Sequence, residues 1–139
     1  MKLTDFLNEQ GIPYQNFELY TEAFTHPSFV NEANKKVADY ERLEFMGDAV
    51  LQLFVSEFIF KRFPNVPEGT LTTLRAKLVR EESLARFARD LSLGKYISFG
   101  VGELKNGGRE RDSVLANVFE AFMGAIYLDC GKEAVLKML

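Results

Sequence analysis

Residues 41–54, ERLEFMGDAVLQLF, constrain the chain more than any other stretch, because they set acidic side chains into an otherwise apolar helical pattern. Leu43, Phe45, Met46, Ala49, Val50, Leu51, Leu53 and Phe54 cover nearly the whole circumference, which is the pattern of a helix buried at the centre of a domain. Yet Glu41, Glu44, Asp48 and Gln52 fall on one face. Glu44 and Asp48 stand four residues apart, so their Cβ atoms lie about 5–6 Å from each other and both carboxylates can reach one ion. Carboxylates in such surroundings pair with a base, rise in pKa, or take up a cation.

A second helix repeats the arrangement. Ser113, Asn117 and Glu120 fall at i, i+4 and i+7 among Val114, Leu115, Val118, Phe119, Phe122 and Met123. Gly47 and Gly124 lie beside the two polar stripes and have no side chains to hold the helices apart, so the stripes are expected to meet in one oxygen-rich pocket. Ligands that are all oxygen favour Mg2+ or Mn2+ over zinc or copper. Spacing alone leaves a second arrangement open, in which Glu44 and Asp48 form a buried salt bridge with Arg42, Arg75 or another base.

The rest of the chain reads as helical. Phe6 and Leu7, then Phe17, Tyr20, Ala23 and Phe24, predict two short helices separated by Gly11-Ile12-Pro13. Residues 25–36, with Pro27 and several Asn, predict irregular chain, and Asp39 is placed to cap the long helix, which runs to about Phe60. A turn is expected over 61–67, then a helix with Leu71, Leu74 and Leu78 on one face, then another carrying Leu84, Phe87, Ala88 and Leu91. Residues 96–108 hold four glycines and predict a flexible loop, with a long apolar helix over 112–128 and a last one over 132–139. No segment alternates with the period of a strand, so the expected class is all-α. The final apolar residues, 134–139, carry neither a cap nor a polar tail, the pattern of a chain cut before its natural end.

Composition removes whole classes of chemistry. With 139 residues, 47% of them hydrophobic and 27% charged, one compact domain is expected rather than a disordered or coiled-coil chain. A single cysteine, Cys130, and a single histidine, His26, exclude a disulfide framework, a Cys/His zinc site, a Ser/His or Cys/His relay and the paired Glu-x-x-His motifs of di-iron bundles. The net charge of −3 argues against a broadly basic nucleic-acid surface, although a total hides where the charges lie. No signal-peptide pattern is present and the apolar runs are interrupted before spanning length, so a cytoplasmic protein without a membrane partner is expected.

The run ERLEFMGDAVL resembles the signature of the ribonuclease III family, and the likeness continues through THPSF at 25–29, EGTLTTLRAKLV at 68–79 and SVLANVFEAFMGAIYLD at 113–129. The resemblance implies a homodimeric all-α endonuclease domain over residues 1–139 that cuts double-stranded RNA in rRNA and mRNA processing. It would leave 5′-phosphate and 3′-hydroxyl ends, with a separate double-stranded-RNA-binding domain lying beyond residue 139. By motif position it implies Mg2+, with Mn2+ as a substitute, held by Glu44, Asp48, Asn117 and Glu120, and makes Asp48 and Glu120 catalytic. Glu41 and Glu68 match acidic positions along the substrate valley, and Phe45 matches an apolar knob that enters the partner subunit. Lys105, Arg109 and Arg111 are the preferred RNA contacts, whereas His26 is expected only to tether its loop.

Asn117 departs from the family pattern, which has Asp at this place. An amide keeps a carbonyl oxygen but removes one negative charge. Three origins stay open: a deliberate change that traps an inactive form, a natural variant active at higher metal, and a non-catalytic RNA-binding or ribosome-associated relative.

Overall fold

The computed structural model describes residues 2–33 and 37–139. Its axle is α8 (Asp112–Cys130), flanked by α4 (Glu41–Arg62) and α6 (Glu81–Asp90). Around them lie α1 (Leu3–Glu9), α2 (Phe17–Ala23), α3 (Pro27–Ala33), α5 (Glu68–Val79), α7 (Val101–Lys105) and α9 (Lys132–Met138). The all-α class holds, since among the described residues the only extended pairing is an isolated bridge between Thr25 and Ser98.

The axle forms because its apolar run contains no proline and its small residues admit neighbours on every side. Val118, Phe119, Phe122, Met123 and Ile126 are buried, packed by α2, α4, α6 and α9. By length and composition α8 is apolar enough to cross a membrane, which corrects the expectation that every apolar run falls short; here most of that surface is covered by the fold itself. Gly131, with φ of +89°, adopts a backbone that other residues rarely tolerate and turns the chain from α8 into α9. Nearby, the Asp129 carboxylate accepts the N–H groups of Gln15 and Asn16, both at 3.0 Å, and the Tyr20 hydroxyl at 2.8 Å. This ties the start of α2 to the end of the axle.

Three further sequence expectations need correction. Residues 27–33, expected irregular, form α3: Pro27 sits at the first helical position, where its missing N–H costs nothing. The remainder of that stretch, 34–36, lies outside the described residues. The glycine-rich stretch 96–108 is not a flexible loop, for it contains α7 with 3-10 turns on either side. The cap that stabilises α7 comes from α3: Glu32 accepts the Val101 N–H at 2.9 Å and the Gly102 N–H at 3.4 Å, and Ser28 Oγ accepts the Gly100 N–H at 2.9 Å. Such a partner, about 70 residues away in sequence, leaves no local signal.

The third correction concerns α4. It is not buried all round, because Phe45, Leu53 and Phe60 are 80%, 63% and 70% exposed. Leu43, Gly47, Val50, Leu51 and Phe54 face the axle, and the opposite apolar side faces outward. The cap position falls on Tyr40, not on Asp39 as expected, and carries no side-chain cap bond; Asp39, one residue earlier, accepts the Glu41 N–H at 2.9 Å. His26 behaves as expected: Nδ1 accepts the Ser28 N–H at 3.0 Å, its ring packs on Tyr40 and Phe99, and burial lowers its pKa.

Candidate functional site

The site is set by how closely α4 and α8 approach. A Cβ built on Gly47 would fall 1.6 Å from the Glu120 carbonyl oxygen, and one on Gly124 would fall 2.6 Å from the Leu43 carbonyl oxygen. Only glycine allows this backbone contact, and the contact brings the polar stripe of each helix alongside the other. Glu120 is thereby half-buried against the turn of α4 that carries Glu44 and Asp48.

The electrostatics record a group of like charges without a counter-charge. Burial, then the Asp48 carboxyl in hydrogen-bonding contact, then the charges of Asp48 and Glu44, push Glu120 up to about 8. Glu44 is also raised, first by burial and then by Glu41, Asp48 and Asp39. Among the described residues no ion pair joins Glu44, Asp48 or Glu120 to a cation, and Arg75 instead donates to Ser56 Oγ at 3.0 Å. The buried salt bridge left open by the sequence is therefore not formed.

Asp48 and Glu120 touch, while Glu44 stands beside them. Among the described residues no three His, Cys, Asp or Glu side chains are drawn into one ligand sphere. The donor chemistry fits a hard divalent cation, because the set offers oxygens, carries net negative charge and has no internal base.

Asn117 lies one turn before Glu120, and its Nδ2 donates to the Tyr40 hydroxyl at 3.4 Å. Tyr40 went unnoticed in the sequence, since it precedes the acidic stripe. Its only signal is that a buried tyrosine needs a partner for its hydroxyl. Burial raises the Tyr40 pKa, helped by Glu44, Glu41 and Asp39 and opposed by the Asn117 hydrogen bond.

The other residues singled out in the sequence scatter. Glu41 is exposed in the first turn of α4, its pKa raised by the Asp39 charge. Glu68 opens α5, exposed, and no hydrogen bond or ion pair links it to the cluster. Phe45 projects into solvent from the turn that carries Glu44, which excludes a core role within the chain. Lys105 is exposed at the end of α7. Arg109 and Arg111 are both engaged internally. Arg109 donates to the carbonyls of Gly94 and Ile97 and lies 5.3 Å over the Phe99 ring, and Arg111 bonds Glu103 and the Asn106 carbonyl. A cavity of about 410 Å3 is mainly apolar, lined by residues such as Phe54, Leu78, Phe87 and Leu136, and contains none of the three carboxylates.

These features define a class: an all-α domain whose two central helices meet at glycines and hold an uncompensated carboxylate set between them. The chain belongs to the ribonuclease-III-like family, whose model matches residues 16–139. It is 50% identical over 139 residues to Ribonuclease 3 of Geobacillus kaustophilus, covering 99% of this chain and 56% of that protein. The chain thus spans little more than half the length of the curated relatives it matches. The nuclease domain of ribonuclease III from Campylobacter jejuni, described for flexibility in a region involved in dimer formation, superposes with a TM-score of 0.89 at 41% identity, covering 98% of this chain and 92% of that one. Dicer from Pichia stipitis is more distant, with a TM-score of 0.60 and 29% identity over 83% of this chain and 47% of that one.

Proposed function

We propose that the chain is the nuclease domain of a Mg2+-dependent endoribonuclease that hydrolyses double-stranded RNA, with Mn2+ able to substitute, acting in the cytoplasm on rRNA and mRNA precursors. The observation that carries the reading is the contact of Asp48 with Glu120, set by the close approach of α4 and α8 at Gly47 and Gly124, with Glu44 beside them and no basic partner. Mg2+ bound there would provide a water acidic enough to attack phosphorus at neutral pH and would offset charge on the phosphate. Asp48 and Glu120 would be the principal ligands, Glu44 would add charge from the preceding turn of α4, and Asn117 would offer a neutral carbonyl oxygen. Attack by water forms a new P–O bond and breaks the bond to O3′, which takes a proton, so the ends are 5′-phosphate and 3′-hydroxyl. With an amide at 117 the pocket is one negative unit short and would hold a dication more weakly than with a carboxylate there.

A second copy of the chain covers the outward face of α4. Phe45, Leu53 and Phe60 together form an apolar strip of the kind that marks an interface. The homodimer gives two pockets, one for each strand of the duplex. Lys105, exposed at the end of α7, is the better RNA contact of the three basic residues; Glu41 and Glu68 are assigned to the substrate side by motif position alone. The Asn117 amide favours one competing reading, a non-catalytic RNA-binding module with the same fold and dimer.

Cleavage of a labelled RNA duplex by the chain and by Glu120→Gln tests the enzyme reading. The expected result is cutting by the unaltered chain and none by the variant, with duplex binding intact in both. Equal cutting by Glu120→Gln would remove the carboxylate set from the chemistry.

A further inference from the structure

The Asn117 side chain stands in an environment that ought to turn it the wrong way. An amide presents either a carbonyl oxygen or an NH2 group, and beside carboxylates the NH2 end is the one attracted. In this chain Nδ2 is engaged by the Tyr40 hydroxyl at 3.4 Å. With Nδ2 engaged there, Oδ1 is the end of the amide that remains to act as an acceptor or ligand.

Tyr40 is well suited to hold that orientation. It is 4% exposed, its N–H donates to the Thr25 carbonyl at 2.9 Å, and its own carbonyl accepts the Glu44 N–H at 2.8 Å. Its ring stands edge-on to His26 at 5.7 Å. Backbone and ring are therefore both fixed, and the hydroxyl reaches across from the start of α4 to α8. A hydroxyl accepts as well as donates, so the same group can serve an amide or a carboxylate at position 117.

We propose that Tyr40 is a positioning residue for the cation site: by accepting the Asn117 N–H it fixes the amide with Oδ1 toward the carboxylates, which lets a neutral residue serve there as a ligand. The inference rests on the metal-centre reading above. A carboxylate at 117 has two equivalent oxygens and needs no such orientation, so the role of Tyr40 depends on the residue it holds.

The test is a double-mutant cycle of Tyr40→Phe and Asn117→Asp, read by calorimetric titration with Mn2+ and by hydrogen exchange of the Asn117 side-chain NH2 protons in NMR spectra. Phenylalanine keeps the ring and its contact with His26, and circular dichroism checks that each variant is folded. Tyr40→Phe is expected to weaken Mn2+ binding roughly tenfold in the Asn117 chain and less than about twofold in the Asn117→Asp chain, while the NH2 protons lose protection. Equal losses in both backgrounds, or no loss in either, would overturn the positioning role. Absence of Mn2+ binding in all four chains would refute the metal centre and, with it, the ligand role of Asn117. The proton readout separates the two failures, because NH2 exchange unchanged by Tyr40→Phe overturns the Tyr40 contact whether or not metal binds.

Discussion

Replacing Gly47 with alanine places a methyl group 1.6 Å from the Glu120 carbonyl oxygen, where real Cβ contacts essentially never fall below 3.0 Å. The obstacle is backbone, which cannot swing aside as a side chain can, so α4 and α8 must part by roughly 1.4 Å where they touch. Alanine is the better helix former by about 1 kcal/mol. Overpacking of a core costs about 1–3 kcal/mol, and a backbone collision belongs at or beyond the upper end. The balance is a loss of about 2 kcal/mol or more, or a fall in Tm of roughly 7 °C for a domain of this size. Thermal and urea unfolding followed by circular dichroism measure it. Gly69→Ala and Gly102→Ala serve as controls, since nothing lies within 4 Å of a Cβ at either position, and both should be no less stable than the unaltered chain. A Gly47→Ala chain as stable as its parent, with the controls behaving as stated, would refute the account of how the two helices meet.

Two further outcomes follow from the same structure. Phe45→Glu puts a charge on a side chain that is 80% exposed within one chain, so the fold should survive while light scattering reports monomers in place of dimers; an unchanged dimer would show that the interface lies elsewhere. For Asp129, burial acts to raise the pKa, but the Gln15 and Asn16 N–H groups and the Tyr20 hydroxyl outweigh it and hold the carboxyl below its ordinary 3.8. A depressed folded-state pKa stabilises the protein above the unfolded value and loses that contribution as pH falls through the folded one. Asp129→Asn should therefore lower Tm near neutral pH, with the gap closing in strong acid, and a gap that persists there would assign the effect to packing.

The fold class and the side-by-side placement of the two polar stripes could be read from the sequence because both rest on local periodicity. The stripe of Glu44 and Asp48, its counterpart at Asn117 and Glu120, and the two glycines between them all lie on regular helices, where spacing dictates direction. What could not be read depended on partners distant in the chain. The helix α7 is capped by Glu32 of α3, Arg109 is drawn inward by the carbonyls of Gly94 and Ile97, and Tyr40 meets Asn117 across 77 residues. Pro27 misled for a different reason, since the same residue breaks a helix from within and begins one at its first position. The apolar circumference of α4 likewise does not say whether Phe45 is covered by its own chain or another. Spacing also could not choose between a salt bridge and an unpaired carboxylate set; among the described residues no ion pair reaches Glu44, Asp48 or Glu120, and Arg75 bonds Ser56 instead.

The central claim is that Asn117 completes, imperfectly, a carboxylate site that holds a catalytic dication. Cleavage of a labelled RNA duplex across Mg2+ and Mn2+ titrations, with this chain beside Asn117→Asp, tests it most directly. The account predicts that both cut and that the Asp variant does so at far lower metal. Failure of both chains under either metal would contradict it and would put the RNA-binding module in its place.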